Sequence, residues 1–463
     1  MTPNQYTPEE PISSIATALA PAALGIVRVS GKGCIELVSK VFSRPEALLE
    51  APGNTLVYGW IKETKTSAID EVMLGVYRAP KSFTGEDMVE IFCHGGPSVV
   101  TAIQKLMLKI GFRQANRGEY TFRAFINGKT DLTRAEAIKE IIDSHTDVSR
   151  SHAAGRLAGS LFKEIDSIKK LIIDTLAAIE VEIEYPEDEE TIADSFDRKD
   201  IEEAVSRLQS LADSWRGEKL YQDGARVVLA GRTNAGKSSL FNAILKEERA
   251  IVSDIEGTTR DWLESWASIN GIPVRLFDTA GLRETSDVIE AQGVEISRSL
   301  VHDADVVLYL VDSQQGLNDE DREFIKNCKE PLIVVETKID CADAHNIDDL
   351  CYTDEIRHTE LVSVSSKTGA GLSELFAKIS EILTAGITTE RIQAGLGSAR
   401  QKEAVCEALE CVKHALVSAD DNYTLDAVVQ DLEDALDFLG EVTGDVTPDD
   451  VLGSIFANFC VGK

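Results

Sequence analysis

The chain has 463 residues, 43% of them hydrophobic, with 79 acidic against 47 basic side chains and a formal net charge of −32 at pH 7. That length suits about three domains and the apolar share builds real cores, which excludes a disordered chain. The acidic balance disfavours broad, salt-driven docking on nucleic acid, so an RNA substrate would need local basic spots or a second protein for much of its grip. No apolar run approaches a membrane span and Met1–Tyr6 carries no basic stretch leading into an apolar core, so a cytoplasmic protein without membrane attachment is expected. The eight cysteines are scattered with no Cys-x-x-Cys pair, which suggests neither a zinc site nor a disulfide framework.

From Ile12 to about Phe125 the pattern predicts a mixed α/β domain, with strands at Gly25–Ser30, Leu74–Tyr77 and Met88–Phe92 and a helix over Pro97–Ile110. Arg28 and Glu90 interrupt two of these strands, and Lys129 follows in Asn127-Gly128-Lys129. Two readings of this set are open: a solvated strand face, or an acid with bases that grip an anionic ligand bearing a donor edge. Between about Asp131 and Asp223 the pattern turns helical, with Leu161, Ile165, Ile168, Ile172, Leu176, Ile179 and Ile183 at three- and four-residue steps. Pro186 and the acidic run Glu187–Glu190 end that helix, and Ile201, Val205, Leu208, Leu211 and Trp215 mark a second. Helical spacing resumes after about Thr384, through Val405, Leu409, Val412 and Leu416 and then Leu425, Val428, Leu432, Leu436 and Leu439. Thr447 is expected to cap a last helix, with Pro448 in its first turn.

Between the two helical blocks lies a nucleotide-binding pattern. Gly231-Arg232-Thr233-Asn234-Ala235-Gly236-Lys237-Ser238-Ser239 fits Gly-x4-Gly-Lys-Ser, with a buried-strand pattern before it and an apolar helical pattern after it. Small residues let successive backbone N–H groups turn onto a phosphate at a helix N-terminus; Lys237 would reach the β- and γ-phosphates and the Ser238 hydroxyl would hold Mg2+. Downstream, one of Thr258 and Thr259 could reach the metal only when a γ-phosphate is present, and Asp278-Thr279-Ala280-Gly281 closes a strand with a metal-shell carboxylate and a γ-phosphate N–H. In Thr337-Lys338-Ile339-Asp340 the Asp340 carboxylate can accept from N1 and the exocyclic amine of guanine, an edge that adenine lacks, and Ser365-Ser366-Lys367 can contact the base. GTP is therefore the expected nucleotide. Thr337 stands where such sites usually carry Asn and Ser366 where they carry Ala, so guanine selectivity is expected to persist with altered affinity. Leu282, after Gly281, cannot orient a water; Glu290 is the candidate to do so, with a solvated helix acid as the equal alternative.

With these residues assembled, the chain resembles the bacterial tRNA-modification GTPase family MnmE, also called TrmE. The likeness runs over nearly the whole length. It rests on Ser82–Asp87 with His94–Pro97, Arg117–Thr121, Arg123–Lys129, Asp131–Thr133, Ala135–Ile138, the nucleotide motifs and the C-terminal Phe459–Lys463. The resemblance implies an α/β folate-binding and dimerisation domain at 1–125, a helical domain in two pieces at 126–222 and 385–463, and a P-loop GTPase domain at 223–384 inserted between them. It implies a homodimer that works with the flavoprotein MnmG on tRNA, gripped largely through that partner. The reaction would add an aminomethyl or carboxymethylaminomethyl group at C5 of the wobble uridine, with 5-formyltetrahydrofolate as the one-carbon source. Folate contacts would fall on Arg28, Glu90, Lys129 and Lys463. K+ would sit among Asn234, Ser253, Ile255 and Thr258, Mg2+ would be held by Ser238 and Thr259, and Glu290 would orient the attacking water. Cys460 lies in the tail motif, where it is either a chemical group or a buried small apolar residue.

A different class would be a ribosome-assembly GTPase switch with no modification chemistry. Such proteins often append an RNA-binding module, and no Gly-x-x-Gly clamp follows Thr384. A folate-dependent methyltransferase acting alone would leave the nucleotide domain without a purpose.

Overall fold

The computed structural model describes residues 10–184, 198–247, 264–278, 300–341, 360–385, 394–420 and 425–463. They fall into two compact units, one built from Met1–Lys139, Arg156–Leu208 and Glu403–Lys463, the other from Glu140–Gly155 and Gln209–Lys402.

The first unit contains a six-stranded sheet of β1 (Ile12–Ile15), β2 (Ala22–Ser30), β3 (Thr55–Lys62), β4 (Ala68–Tyr77), β5 (Met88–Gly95) and β6 (Arg113–Gln114), in the order β3-β4-β5-β2-β1-β6. All pairs are antiparallel except β1 with β6. Alternation decides which side chains meet: Val27, Val29, Val89 and Ile91 point into the core, so Arg28 and Glu90, which face each other across β2 and β5, lie on the opposite surface. Helix Pro97–Ile110 has the predicted bounds and covers the core face with Val100, Ile103, Leu106 and Met107. Two strands escape the sequence pattern for opposite reasons. Ile-Ser-Ser-Ile (β1) offers no polar alternation, and β3 exposes Leu56, Tyr58 and Trp60 on the face that alternation would make polar.

The helical part of this unit follows the spacing closely. Leu161, Ile165, Ile168, Ile172, Leu176 and Ile179 are buried along helix Ser160–Glu184, which packs against helix Leu425–Thr443 and its buried Val428, Leu432 and Leu439. Pro186 and Glu187–Glu190 lie outside the described residues. The last helix starts one residue later than expected. It spans Asp449–Ala457 with Pro448 in the capping position at ψ 144, outside the helical region, while the Thr447 hydroxyl donates to the Glu441 carbonyl.

That last helix delivers the C-terminus to the sheet. Phe456 stands edge-on to Phe122 at 5.3 Å and, with Phe459, Leu452 and Leu132, seals helix Glu119–Ile126. Gly118, at φ 67, has its Cα so near the Phe456 carbonyl that a Cβ would come within 2.5 Å of the oxygen, so only glycine fits. Val461 then bridges Arg117.

Beneath this helix lies a buried ion network. Arg123 and Glu119, both 0% exposed, pair at 3.0 Å; Arg123 also meets Glu86 at 2.9 Å and Glu119 meets Arg113 at 2.6 Å. Burial pushes the Glu119 carboxyl up, but the Arg113 guanidinium, the Asn116 N–H and the Arg123 charge outweigh it and hold the carboxyl below its ordinary value. Charges this deep tolerate no missing partner.

The second unit carries a sheet of β7 (Ala225–Gly231), β8 (Glu264–Ile269), β9 (Ile272–Asp278), β10 (Val306–Asp312), β11 (Leu332–Thr337) and β12 (Glu360–Ser363), ordered β12-β11-β10-β7-β9-β8. Only β8 runs antiparallel. The near-continuous apolar strands fit a sheet covered on both faces: helices Lys237–Glu247 and Leu372–Thr384 close one side, and helix Asp319–Asn327 the other.

Replacing Arg123 with Met takes one of two guanidinium partners from the buried Glu119, which keeps Arg113, and removes the Arg123 ion pair from Glu86, and should cost about 3 kcal/mol. The sign with pH follows from the depressed Glu119 value. Its contribution is full above the ordinary carboxyl range and is lost as pH falls through the lower native value. Urea unfolding of wild type and Arg123→Met from neutral to acid pH checks this; the gap between them should close in acid.

Candidate functional site

The carboxyl ends of β7, β9, β10 and β11 form one edge of the second sheet. The chain leaves β7 toward β9 on one side and β10 on the other, and at such a switch point a crevice opens outside the strand ends. Gly231, Asp278, Asp312 and Thr337 are the last residues of those four strands.

From β7 the chain enters the phosphate loop. Gly231 has φ 132 with the Leu310 carbonyl 2.5 Å from where a Cβ would sit, and Gly236 has φ 94, so both glycines of the motif are required by backbone shape. Asn234 shares the left-handed region at φ 63. Helix Lys237–Glu247 begins at the motif lysine, which aims its N-terminal N–H groups and positive dipole end at the loop. Lys237 Nζ donates to the Gly231 and Arg232 carbonyls, each at 2.7 Å, which holds the ammonium against the loop. Ser238 Oγ donates to Asp278 Oδ2 at 2.8 Å. These two hard oxygens, one in the first turn of the motif helix and one at the end of β9, suit Mg2+ with its water shell. Ser239 is exposed beside them.

The base-side loop is tied to the phosphate loop. Thr337, 1% exposed, donates its hydroxyl to the Ala235 carbonyl at 2.7 Å, with Val311 O at 3.2 Å. Lys338, at φ 62, reaches back to the Asn234 carbonyl at 2.8 Å and to Asp312 Oδ2 at 2.7 Å. Burial pushes Asp312 up, but the Lys338 ammonium and the Gln314 N–H together hold it below its ordinary value. Asp340 accepts the Ser365 hydroxyl at 2.7 Å, and that bond, with the Lys367 charge, keeps its carboxyl below the ordinary range. Ser366 is half-buried in the same turn. An ionised, oriented carboxylate on an accessible loop is what reading the guanine N1–H and amine edge requires.

Expected residues that lie outside the described set are Ser253, Ile255, Thr258, Thr259, Thr279, Ala280, Gly281 and Glu290, with Leu282 beside them. Of the K+ set, Asn234 alone is described. Sequence reasoning missed Asp312, the acid ending the strand Val306–Asp312, and the anchoring of Arg232 on helix Asp319–Asn327. A charged residue closing an otherwise apolar strand was the available signal for the first.

In the first unit, Arg28 and Glu90 form a cross-strand pair at 2.7 Å; Tyr77 donates to Glu90 at 3.2 Å, and Arg28 donates to the Gly462 carbonyl at 3.0 Å. Phe83 and Tyr120 lie 5.6 Å from the guanidinium. Burial, then the Arg28 charge, push the Lys463 ammonium below its ordinary value. Arg28 and Glu90 are thus a paired, partly buried couple rather than a solvated strand face, and the Arg28–Gly462 bond brings Lys463 next to them. Lys129 instead donates to the Pro80 carbonyl at 3.0 Å, on the loop that carries Phe83. Cys460 is exposed, against the reading of a buried apolar residue, because Phe459 takes the buried position and the tail turns its next side chain out.

Fold and site together define a P-loop guanine-nucleotide-binding protein. Family models agree with the arrangement: the MnmE helical domain matches residues 132–460 and the GTP-binding protein TrmE N-terminus matches 11–129. The chain is 51% identical over 470 residues to the tRNA modification GTPase MnmE of Treponema denticola, covering 99% of each chain. It is 44% identical to that of Treponema pallidum, over 100% of each. To that of Carboxydothermus hydrogenoformans it is 40% identical, over 98% of this chain and 100% of the relative. The chain belongs to the MnmE family of tRNA-modification GTPases, and it is a GTP-hydrolysing enzyme of that class.

Thr337→Val deletes the bond to the Ala235 carbonyl and leaves that acceptor without its donor, so GDP affinity should fall about tenfold. Thr337→Ser should stay near wild type. Fluorescent-nucleotide titration measures both, and an unchanged Kd for Thr337→Val would mean the two loops do not need this tie.

Proposed function

We propose that the chain is the GTP-driven subunit that modifies C5 of the tRNA wobble uridine with an aminomethyl or carboxymethylaminomethyl group, using a one-carbon unit from 5-formyltetrahydrofolate. The observation that carries the reading is the partly buried Arg28–Glu90 pair, to which the Arg28 bond to the Gly462 carbonyl brings the neighbouring Lys463. A guanidinium and an ammonium suit the carboxylates of a folate tail, and a carboxylate suits a pterin donor edge. Aromatic walls from Phe83 and Tyr120 add a surface against which a flat ring can stack. The chain directs its last five residues to this spot through the Phe456 cluster, an investment that a solvated surface would not need.

Within the nucleotide unit, Ser238 and Asp278 are suited to hold Mg2+, and Asp340 to select guanine. Asn234 together with Ser253, Ile255 and Thr258 would bind K+, whose charge would offset that developing on the transferring phosphoryl group, and Glu290 would orient the water. Equal GTP turnover in K+ and Na+ would remove the potassium part of this reading.

The domain plan we infer has folate binding at 1–125, helical segments at 126–222 and 385–463, and a GTPase domain at 223–384 inserted between them. It is supported by a helical-domain match that runs from 132 to 460, across the nucleotide motifs. A homodimer is supported by the apolar strip on edge strand β3, where Leu56, Tyr58 and Trp60 are exposed beside Met73 of β4. With a net charge of −32, tRNA would be gripped largely by the flavoprotein MnmG, in the cytoplasm.

Titration of the purified protein with 5-formyltetrahydrofolate should give saturable binding that Arg28→Ala weakens by at least tenfold, about the loss of one charge-assisted bond. Equal binding by both proteins, or none by either, would sink the folate assignment.

A further inference from the structure

We propose that Asp321 is a positioning residue for nucleotide binding, holding the leading arm of the phosphate loop through Arg232. Asp321 is 2% exposed in the first turn of helix Asp319–Asn327, on the sheet face opposite the motif helix. Three donors converge on its carboxylate. Tyr309 OH donates to Oδ1 at 2.7 Å, the Asn318 N–H to Oδ2 at 2.9 Å, and Arg232 Nη1 to Oδ2 at 3.4 Å. Tyr309 is itself fixed, stacked on Phe324 at 4.6 Å and paired across the sheet with Ala230, the residue before Gly231. The second guanidinium nitrogen of Arg232 donates to Gln315. Arg232 and Asp321 both line a small cleft with Thr233, Ala235, Asp312 and Gln315, and the guanidinium joins the loop to the helix along its wall.

Arg232 is held at both ends. Its side chain is drawn outward to Asp321 and Gln315, while its carbonyl, with that of Gly231, accepts from Lys237 Nζ. Together these contacts fix the tilt of the peptide that follows Arg232, and with it the direction of the next N–H groups in the cradle. A loop ordered by its own protein contacts loses less freedom when a phosphate arrives, and so binds it more tightly. The β-phosphate, common to GDP and GTP, is the group this arm would serve.

The competing account is that Asp321 serves only its helix, since it also completes a capping box with Asn318. The two accounts separate in nucleotide titrations of the full chain with GDP and a non-hydrolysable GTP analogue. Asp321→Asn and Arg232→Gln should each raise both Kd values about tenfold, the weight of one charge-assisted bond. The double variant should bind no worse than the weaker single, and Arg232→Lys, which keeps a cation for the carboxylate, should recover most of the affinity. Asn318→Ala, which breaks the cap alone, should lower Tm and leave both Kd values unchanged. The proposal fails if Asp321→Asn and Arg232→Gln bind as wild type, if their losses add, if only the GTP analogue is affected, or if Asn318→Ala weakens binding equally. Should Asp321→Asn not fold, Arg232→Gln with its Lys counterpart decides the matter, because its side chain is 31% exposed.

Discussion

A hydrogen bond of 2.7 Å from the Thr337 hydroxyl to the Ala235 carbonyl joins the loop that would read a base to the loop that would cradle phosphates. A nucleotide held at its base and its phosphates together loses less freedom when these two loops already keep a fixed separation. The sheet sets that separation coarsely, since Asp312 and Thr337 end adjacent parallel strands in register. Lys338 refines it, by spanning from Asn234 O to Asp312. Thr337, at the position where such sites usually carry Asn, makes this tie with its hydroxyl. The left-handed Asn234 and Lys338 face each other across this junction, which places the backbone strain of the site where the two loops touch.

The other unit depends on a different constraint, the docking of its own C-terminus. Phe456 packs on Phe122, the tail pairs with Arg117, and Gly462 offers its carbonyl to Arg28. Gly462, at φ 97, passes so near the Ile15 carbonyl that a side chain would not fit. Residues at opposite ends of the sequence thus form one cluster. The buried Arg123–Glu119–Glu86 network lies under the same helix and rigidifies the surface against which the tail rests.

The nucleotide unit was more legible in the sequence than the first unit, and the reason is local. Gly231, Gly236, Lys237 and Ser238 work by backbone shape and by spacing within nine residues, and that information lies along the chain. Helix Ser160–Glu184 was legible for a similar reason, because its apolar stripe is periodic. Arg28, Glu90 and Lys463 are joined by sheet register and by a tail docking more than 400 residues away, which no window of sequence contains. Strand β3 was hidden because its exposed face is apolar, a pattern that signals association more than secondary structure. Asp321 reads as an ordinary helix-cap acid, and only the fold brings Arg232 to it.

The central claim, GTP hydrolysis harnessed to wobble-uridine chemistry, is tested most directly by nucleoside mass spectrometry of tRNA. Cells lacking the protein would be compared with cells rescued by the wild type and by Glu290→Ala. The account predicts that the 5-substituted wobble uridines vanish without the protein and return with the wild type alone. An unchanged nucleoside profile in its absence would contradict the account and favour a GTPase switch without modification chemistry.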